Sequence, residues 1–248
     1  MADPPTMVDP LRAAGSRLPA APTFGRALRT ALTDFYFNSW RLVPANVIWG
    51  VGLVALYVVW LISPIGAVLL APLLAFPTLG IFRVAALIVR GEPASFWDAL
   101  RAWRREFVPT LLAGAAAVAS TLVLGTNVAV GILSAGVVGW AVATLAAWGL
   151  IVAAIAAVCF WPLLVDPARS GEPARSRARL AGLLVVAFPV RLGALAAILG
   201  VVLVASTVAF AALVTVSIAY CALVACRYVL PAADRLEARL ARTSRPPA

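Results

Sequence analysis

The chain has 248 residues, 63% of them hydrophobic and 12% charged, with 20 basic against 10 acidic side chains and a formal net charge of +10. Every cation is an arginine; without lysine or histidine, Walker-type phosphate loops, Ser-His-Asp and Cys-His catalysis and the usual zinc sites are excluded. So hydrophobic a composition is far from the usual soluble mix, and the charges stand outside three apolar blocks, Leu42–Phe82, Phe107–Val165 and Leu192–Cys226.

Residues 1–24 hold Pro4, Pro5, Pro10, Pro19 and Pro22 and no apolar signal-peptide core, so they read as a disordered cytoplasmic tail. A short pre-helix is expected over Leu28–Trp40, with Leu28, Leu32, Phe35 and Tyr36 on its apolar side. The first block follows. One spanning helix needs about 20 apolar residues, so each block suits two crossings. The spans are expected near 43–62, 64–89, 109–131, 135–164, 190–208 and 210–230. Their uncharged breaks fall at Ser63-Pro64, Gly125–Gly136 and Ser206–Thr207. The last break lacks Pro and Gly, which leaves open whether the third block is two helices or one.

The second span carries Pro72, Pro77, Thr78 and Gly80, with Arg83 towards its end. Prolines free backbone carbonyls, so this helix either lines a substrate cavity or forms a packing kink with Arg83 snorkelling to the headgroups. Beyond it, Gly91-Glu92-Pro93-Ala94 recurs as Gly171-Glu172-Pro173-Ala174, and sixteen residues after each motif's proline stands another, Pro109 and Pro189. Leu42-Val43-Pro44 is a weaker first relative. Each unit reads as a pre-helix, a proline near the membrane surface and two spans.

The second pre-helix, Ser95–Glu106, has Phe96, Leu100, Trp103 and Phe107 at helical spacing, and Ser95 with Asp98 forms a capping box. It suits the membrane interface or the protein's own cytoplasmic side. The third pre-helix, Ser176–Phe188, is more apolar. Asn46 and Asn127 are the amide side chains of the blocks, explained by an interhelical hydrogen bond or a turn. The small residues of 112–120 and 152–157, such as Ala115-Ala116-Ala117, permit close helix packing. Cys159, Cys221 and Cys226 fall in apolar segments and read as small core hydrophobes.

The expected fold class is therefore all-α: a polytopic membrane protein of six transmembrane helices in three hairpins, each preceded by a short amphipathic interfacial helix. The expected division is a tail at 1–24, a membrane domain at 25–231 in three repeats (25–90, 91–170, 171–231) and a short helical or disordered cytoplasmic tail at 232–248. Arg-bearing connections all on one side require an even number of crossings, with both termini cytoplasmic. That placement also accounts for the positive charge without nucleic acid. Two arginine clusters, Arg101, Arg104 and Arg105, then Arg175, Arg177 and Arg179, can contact anionic lipid headgroups or a partner, or can serve only to set topology.

The run from Asp34-Phe35 through Pro77-Thr78-x-Gly80 and Arg90-Gly91-Glu92-Pro93 to Ser95-Phe96-x-Asp98 and Phe107 resembles the YesL-like family of bacterial inner-membrane proteins, a domain of unknown function. The likeness covers about residues 25–230. Members are often encoded beside sugar-uptake ABC transporters and polysaccharide-degradation genes, which implies a link to carbohydrate import and to transporter permease subunits as partners. It implies no catalytic, cofactor-binding or metal-binding residue. With no acidic residue inside a span, a proton-coupled carrier is disfavoured. The expectation is a non-catalytic accessory protein without cofactors, the alternative a small-solute transporter or channel. A cleft gathering Asp98, Glu106 and Asp166 around a metal would count against the non-catalytic reading.

Overall fold

The computed structural model describes residues 23–134 and 136–243, which are helical with short connections and no strand. The expected tail at 1–24 lies almost wholly outside the described residues. The helices are α1 (Phe24–Ile62), α2 (Pro64–Arg90), α3 (Phe96–Arg105), α4 (Phe107–Leu133), α5 (Val137–Val165), α6 (Ala174–Ala187), α7 (Pro189–Val208) and α8 (Ile218–Thr243). Six of them, all but α3 and α6, are long and apolar enough to cross a membrane, as a polytopic membrane protein requires.

The breaks follow from local chemistry. Ser63 leaves helical geometry (φ −150°, ψ 100°), its hydroxyl accepts from the Gly66 amide at 3.1 Å, and Pro64 takes the first helical position, where a missing N–H costs nothing. The second break is narrower than the sequence suggests. α4 runs through Gly125 and Asn127 to Leu133, so Asn127 is an exposed helical residue and not part of a turn. A helical glycine costs about 1 kcal/mol against alanine, whereas an unpaired backbone group in a bilayer costs several, so the helix continues. Gly131 then lets α4 and α5 meet closely, since a Cβ there would lie 2.5 Å from the Gly139 carbonyl oxygen.

The third apolar block is two helices. Ala209 (φ −106°, ψ 76°) ends α7, and a short helical piece and a π turn, Leu213–Ser217, lead into α8. The boundary expected at 231 falls inside α8, which passes Pro231 and continues to Thr243 with Ala233 fully buried.

Three residues with off-helix backbone precede long apolar segments: Asn38 within α1 (φ −114°, ψ 15°), Glu106 before α4 (φ −112°, ψ 34°) and Phe188 before α7 (φ −136°, ψ 50°). At Asn38 the side chain satisfies neighbours of the kink: Nδ2 donates to the Asp34 carbonyl at 2.9 Å, and Oδ1 accepts from Arg41 at 3.1 Å. The two Gly-Glu-Pro-Ala copies differ in conformation. Gly91 is left-handed (φ 72°) and ends α2 with paired bonds from the Gly91 and Glu92 amides to the Ile88 and Leu87 carbonyls. Gly171 follows a 3₁₀ turn, Pro167–Arg169, and does not share the positive φ.

The core lies between α2 and α8. The apolar stretch of α8 is 67% buried and that of α2 44%, against 11% to 17% for the other four. Small residues bring the central pair together: Ala219, Ala222, Ala225 and Cys226 on α8, and Gly80, Ala85 and Ala86 on α2, are all buried. Cys159, Cys221 and Cys226 are buried thiols without disulfides.

The same rule divides the apolar side of the first pre-helix, of which Leu28 and Phe35 pack against the core. Ala27 and Ala31 turn inward while Leu32 and Tyr36 are 61% and 76% exposed. Large apolar side chains gain little by leaving lipid, so small ones take the packed positions. On α3, likewise, Ala99 and Ala102 are buried, and Gly80 of α2 lies where a Cβ would come within 3.0 Å of Ala99. In the 112–120 stretch Gly114 makes the close contact, and Ala115, Ala116 and Ala117 are exposed.

Candidate functional site

α2 changes geometry at Pro72. A proline at 72 removes the amide that would bond the Val68 carbonyl, and one at 77 does the same for Leu73. The chain tightens into a 3₁₀ turn over Ala71–Leu74 before resuming as an α-helix. α4 closes on this turn through Gly114, where a Cβ would stand 2.6 Å from the Pro72 carbonyl oxygen. Thr78 is fully engaged: its hydroxyl donates to the Leu74 carbonyl at 2.8 Å and accepts from Trp49 Nε1 at 3.1 Å. The space beside the turn, about 600 Å³, is walled chiefly by apolar side chains including Leu53, Leu56, Trp60, Val68, Val118 and Leu122.

At the charged end of the bundle, five ionised side chains from three elements form one cluster. Arg90, the last residue of α2, binds Asp166 through Nε (3.0 Å) and Nη2 (2.6 Å), and Asp234 of α8 through Nη1 (2.7 Å) and Nη2 (3.0 Å). Arg169 donates Nη1 to Asp166, Nη2 to Asp234 at 2.7 Å, and Nε and Nη2 to Glu237 at 3.2 and 2.6 Å. Such two-pronged guanidinium–carboxylate contacts combine energy with geometric specificity. Burial works against the charge on Arg169, but the Glu237 and Asp234 hydrogen bonds and the charges of Glu237 and Asp166 raise its pKa overall. The Asp166 side chain is 0% exposed and also caps the following turn by accepting from the Ala168 amide at 3.2 Å. Two further pairs tie distant segments: Asp34 of α1 with Arg227 of α8 at 2.6 Å, and Glu106 before α4 with Arg177 of α6 at 3.0 Å.

Next to this cluster lies a cleft of about 160 Å³ between α2, α3, the α5–α6 connection and α6. Arg83, Arg101, Arg105 and Arg177 line it, as do Asp98, Glu106 and Asp166. The three carboxylates do gather in one place, yet each is already held. Asp98 accepts from Arg101 at 3.1 Å and from the Ser95 amide at 2.8 Å, as the capping box requires, while Glu106 pairs with Arg177 and Asp166 with Arg90 and Arg169. Among the described residues no group of three metal-ligating side chains is placed to hold a metal ion. Arg83 and Arg105 differ from the other arginines of the cleft. Arg83 Nη1 donates to the Val165 carbonyl at 2.7 Å and Arg105 Nη2 to the Ser170 carbonyl at 2.7 Å, and neither touches a carboxylate.

The residues singled out from the sequence therefore separate. Pro72 lies in the 3₁₀ turn, Pro77 and Thr78 in the helical segment that follows it, and Arg83 lines the cleft. Of the two arginine clusters, Arg104, Arg175 and Arg179 are exposed, while Arg101 and Arg105 stand at the cleft. Arg177 does not join a lipid-facing surface. It is 4% exposed and is held inside by the Leu164 carbonyl and Glu106. Asp234 and Glu237 escaped notice, although their three-residue spacing on a helix places both on one face. No family model, curated protein or solved structure matches this chain.

Proposed function

We propose that the chain is a non-catalytic integral membrane protein that acts as an accessory or interaction partner of another membrane complex. The resemblance to the YesL-like family implies that this complex is a carbohydrate-uptake ABC transporter in the plasma membrane. The observation that supports a non-transporting role is the state of the polar groups between the helices. Thr78 is engaged by Leu74 and Trp49, Asn46 by Val214 and Ala219, and Ser217 by Ser206 at 2.6 Å and Ala212 at 3.0 Å. A carrier's midplane site leaves such groups open to solute. The alternative, a small-solute transporter or channel, has the broken α2 and the Arg83 cleft in its favour.

Crosslinking in native membranes followed by pull-down separates the two readings. The expected product is a permease or ATPase subunit joined to this chain. Solute flux through proteoliposomes containing the chain alone, with no such crosslink in native membranes, would overturn the accessory reading.

Placement of both termini in the cytoplasm is part of the same proposal. It is supported by ion pairs that tie the end of α2 to the α5–α6 connection and to α8, and α1 to α8. The off-helix residues at 38, 106 and 188 support a description as three related hairpin units with interfacial pre-helices. A reporter fused at the C-terminus is expected to be active as a cytoplasmic marker, and one inserted between α4 and α5 as an external marker. The reverse pattern sinks the topology. On this orientation the exposed Arg104, Arg175 and Arg179 face anionic headgroups, each contributing on the order of 1 kcal/mol near the surface.

A further inference from the structure

We infer that the cleft between α2, α3 and the α5–α6 connection is a binding site for a phosphate-bearing anion, with Arg83 and Arg105 as its two principal contacts. This inference is independent of the accessory role.

The charge pattern inside the cleft carries the argument. Asp98, Glu106 and Asp166 are matched by Arg101, by Arg177 and by Arg90 with Arg169. That leaves Arg83 and Arg105 on the same cleft, each bonded through one nitrogen to a backbone carbonyl and neither to a carboxylate. Arg83 and Arg105 repel each other, while Glu92, Asp98 and Asp166 attract Arg83, so an anion seated at both guanidinium groups would relieve the repulsion that remains. Guanidinium forks with open nitrogens match phosphoryl oxygens in geometry as well as charge. A second observation points the same way. Arg177, on the cleft wall and 4% exposed, keeps a buried Nε–H that has no partner. Buried donors are nearly always paired, so this one, like those of Arg41, Trp103 and Arg235, is open to an added acceptor, and it alone of them stands on the cleft lining.

Size and position narrow the ligand. About 160 Å³ is well below the ~300–1,000 Å³ typical of drug-sized ligands, which suits a headgroup-sized anion and not an oligosaccharide. Arg83 lies two turns inside Arg90, about 10 Å along the helix, from where a long side chain can snorkel towards headgroup phosphates. The shared chemistry is a phosphate mono- or diester, from a lipid headgroup or from a free metabolite.

The purified full chain in detergent would be titrated with inorganic phosphate, glycerol 3-phosphate and short-chain phosphatidylglycerol, at ionic strength matched with chloride. Thermal stabilisation reports binding. The parent is expected to be stabilised by at least one probe. Arg105→Gln and Arg83→Gln should each weaken the apparent affinity about tenfold or more, as the loss of a charged hydrogen bond requires. Arg104→Gln, exposed and outside the cleft, serves as the charge-matched control and should leave the affinity unchanged. Arg105 is itself exposed, so its variant tests the site even where Arg83→Gln disturbs folding. Binding of the lipid alone assigns the site to a headgroup, and comparable binding of the two small phosphates assigns it to a free anion. Equal weakening by all three variants, no change in Arg105→Gln, or no stabilisation by any probe would overturn the inference.

Discussion

Asp166→Ala is expected to lower the unfolding free energy by about 3 kcal/mol, the largest single loss among the charged side chains of this protein. Asp166 has no exposed side-chain surface and accepts from Arg90, Arg169 and the Ala168 amide. Its removal leaves two guanidinium groups short of one carboxylate, and Arg169 is only 4% exposed. Breaking a buried pair from one side typically costs ~3–5 kcal/mol, and the low end applies because Arg90 keeps Asp234 and Arg169 keeps Asp234 and Glu237. The comparison that decides the mechanism is Glu237→Gln. Glu237 also binds Arg169, but its side chain is 41% exposed, and exposed pairs contribute about 1 kcal/mol or less. Denaturant titrations in a fixed detergent, followed by circular dichroism, measure both. Equal costs for the two variants would mean that the number of ion pairs, and not burial, sets the stability of the charged end.

That cluster also shows what a single chain of letters conceals. The six long helices were legible because apolar runs of this length have one explanation, and Ser63-Pro64 and Ser95 with Asp98 announced a helix start by local chemistry. Helix ends were legible unevenly: the second span was expected to end at 89 and α2 ends at Arg90, but the last was expected to end at 230 and α8 runs to Thr243. Partnerships across the fold were not legible. Arg90 and Asp234 stand 144 positions apart, and the spacing between them carries no trace of the contact. Which residues of an apolar side turn inward was not legible for a different reason. In water the large apolar residues of a helix mark its buried side, but in a bilayer that rule loses its force. Leu32 and Tyr36 point outward and Ala27 and Ala31 inward because close approach, not removal from water, selects the packed residue. The cleft was half visible. Arg83 stood out as a cation at the end of an apolar block and inside the second span, but its neighbours Arg105 and Ser170 come from elements that only the fold brings beside it.

Asn46 is the other residue whose weight the sequence understated, and Asn46→Leu should cost about 2–3 kcal/mol. It lies two positions past Pro44, where a place near the membrane surface is the natural expectation. Instead it is 0% exposed and spans from α1 to the entry of α8. Its Nδ2 donates to the Val214 carbonyl at 2.6 Å, and its Oδ1 accepts from the Ala219 amide at 2.9 Å. The first of these backbone groups lies within the π turn over Leu213–Ser217 and the second just beyond it, where the regular bonding ladder of the helix is interrupted. One amide side chain thus satisfies a donor and an acceptor that the turn would otherwise leave unpaired. Side-chain hydrogen bonds between membrane helices average about 0.6 kcal/mol, because the reference state finds other partners. The larger figure is expected here because leucine leaves both backbone groups buried without a partner, at about 1–3 kcal/mol each before relaxation. The approach of α1 to the π turn leaves little room for that relaxation: a Cβ at Gly50 would come within 2.9 Å of Val214 Cβ. Two measurements check the prediction, the unfolding free energy in detergent and hydrogen exchange at the Ala219 amide. A loss of 2–3 kcal/mol with faster exchange at Ala219 is the expected pair. A stability within about 0.6 kcal/mol of the parent, with exchange unchanged, would mean that the π turn holds its own backbone and that Asn46 is an ordinary interhelical contact.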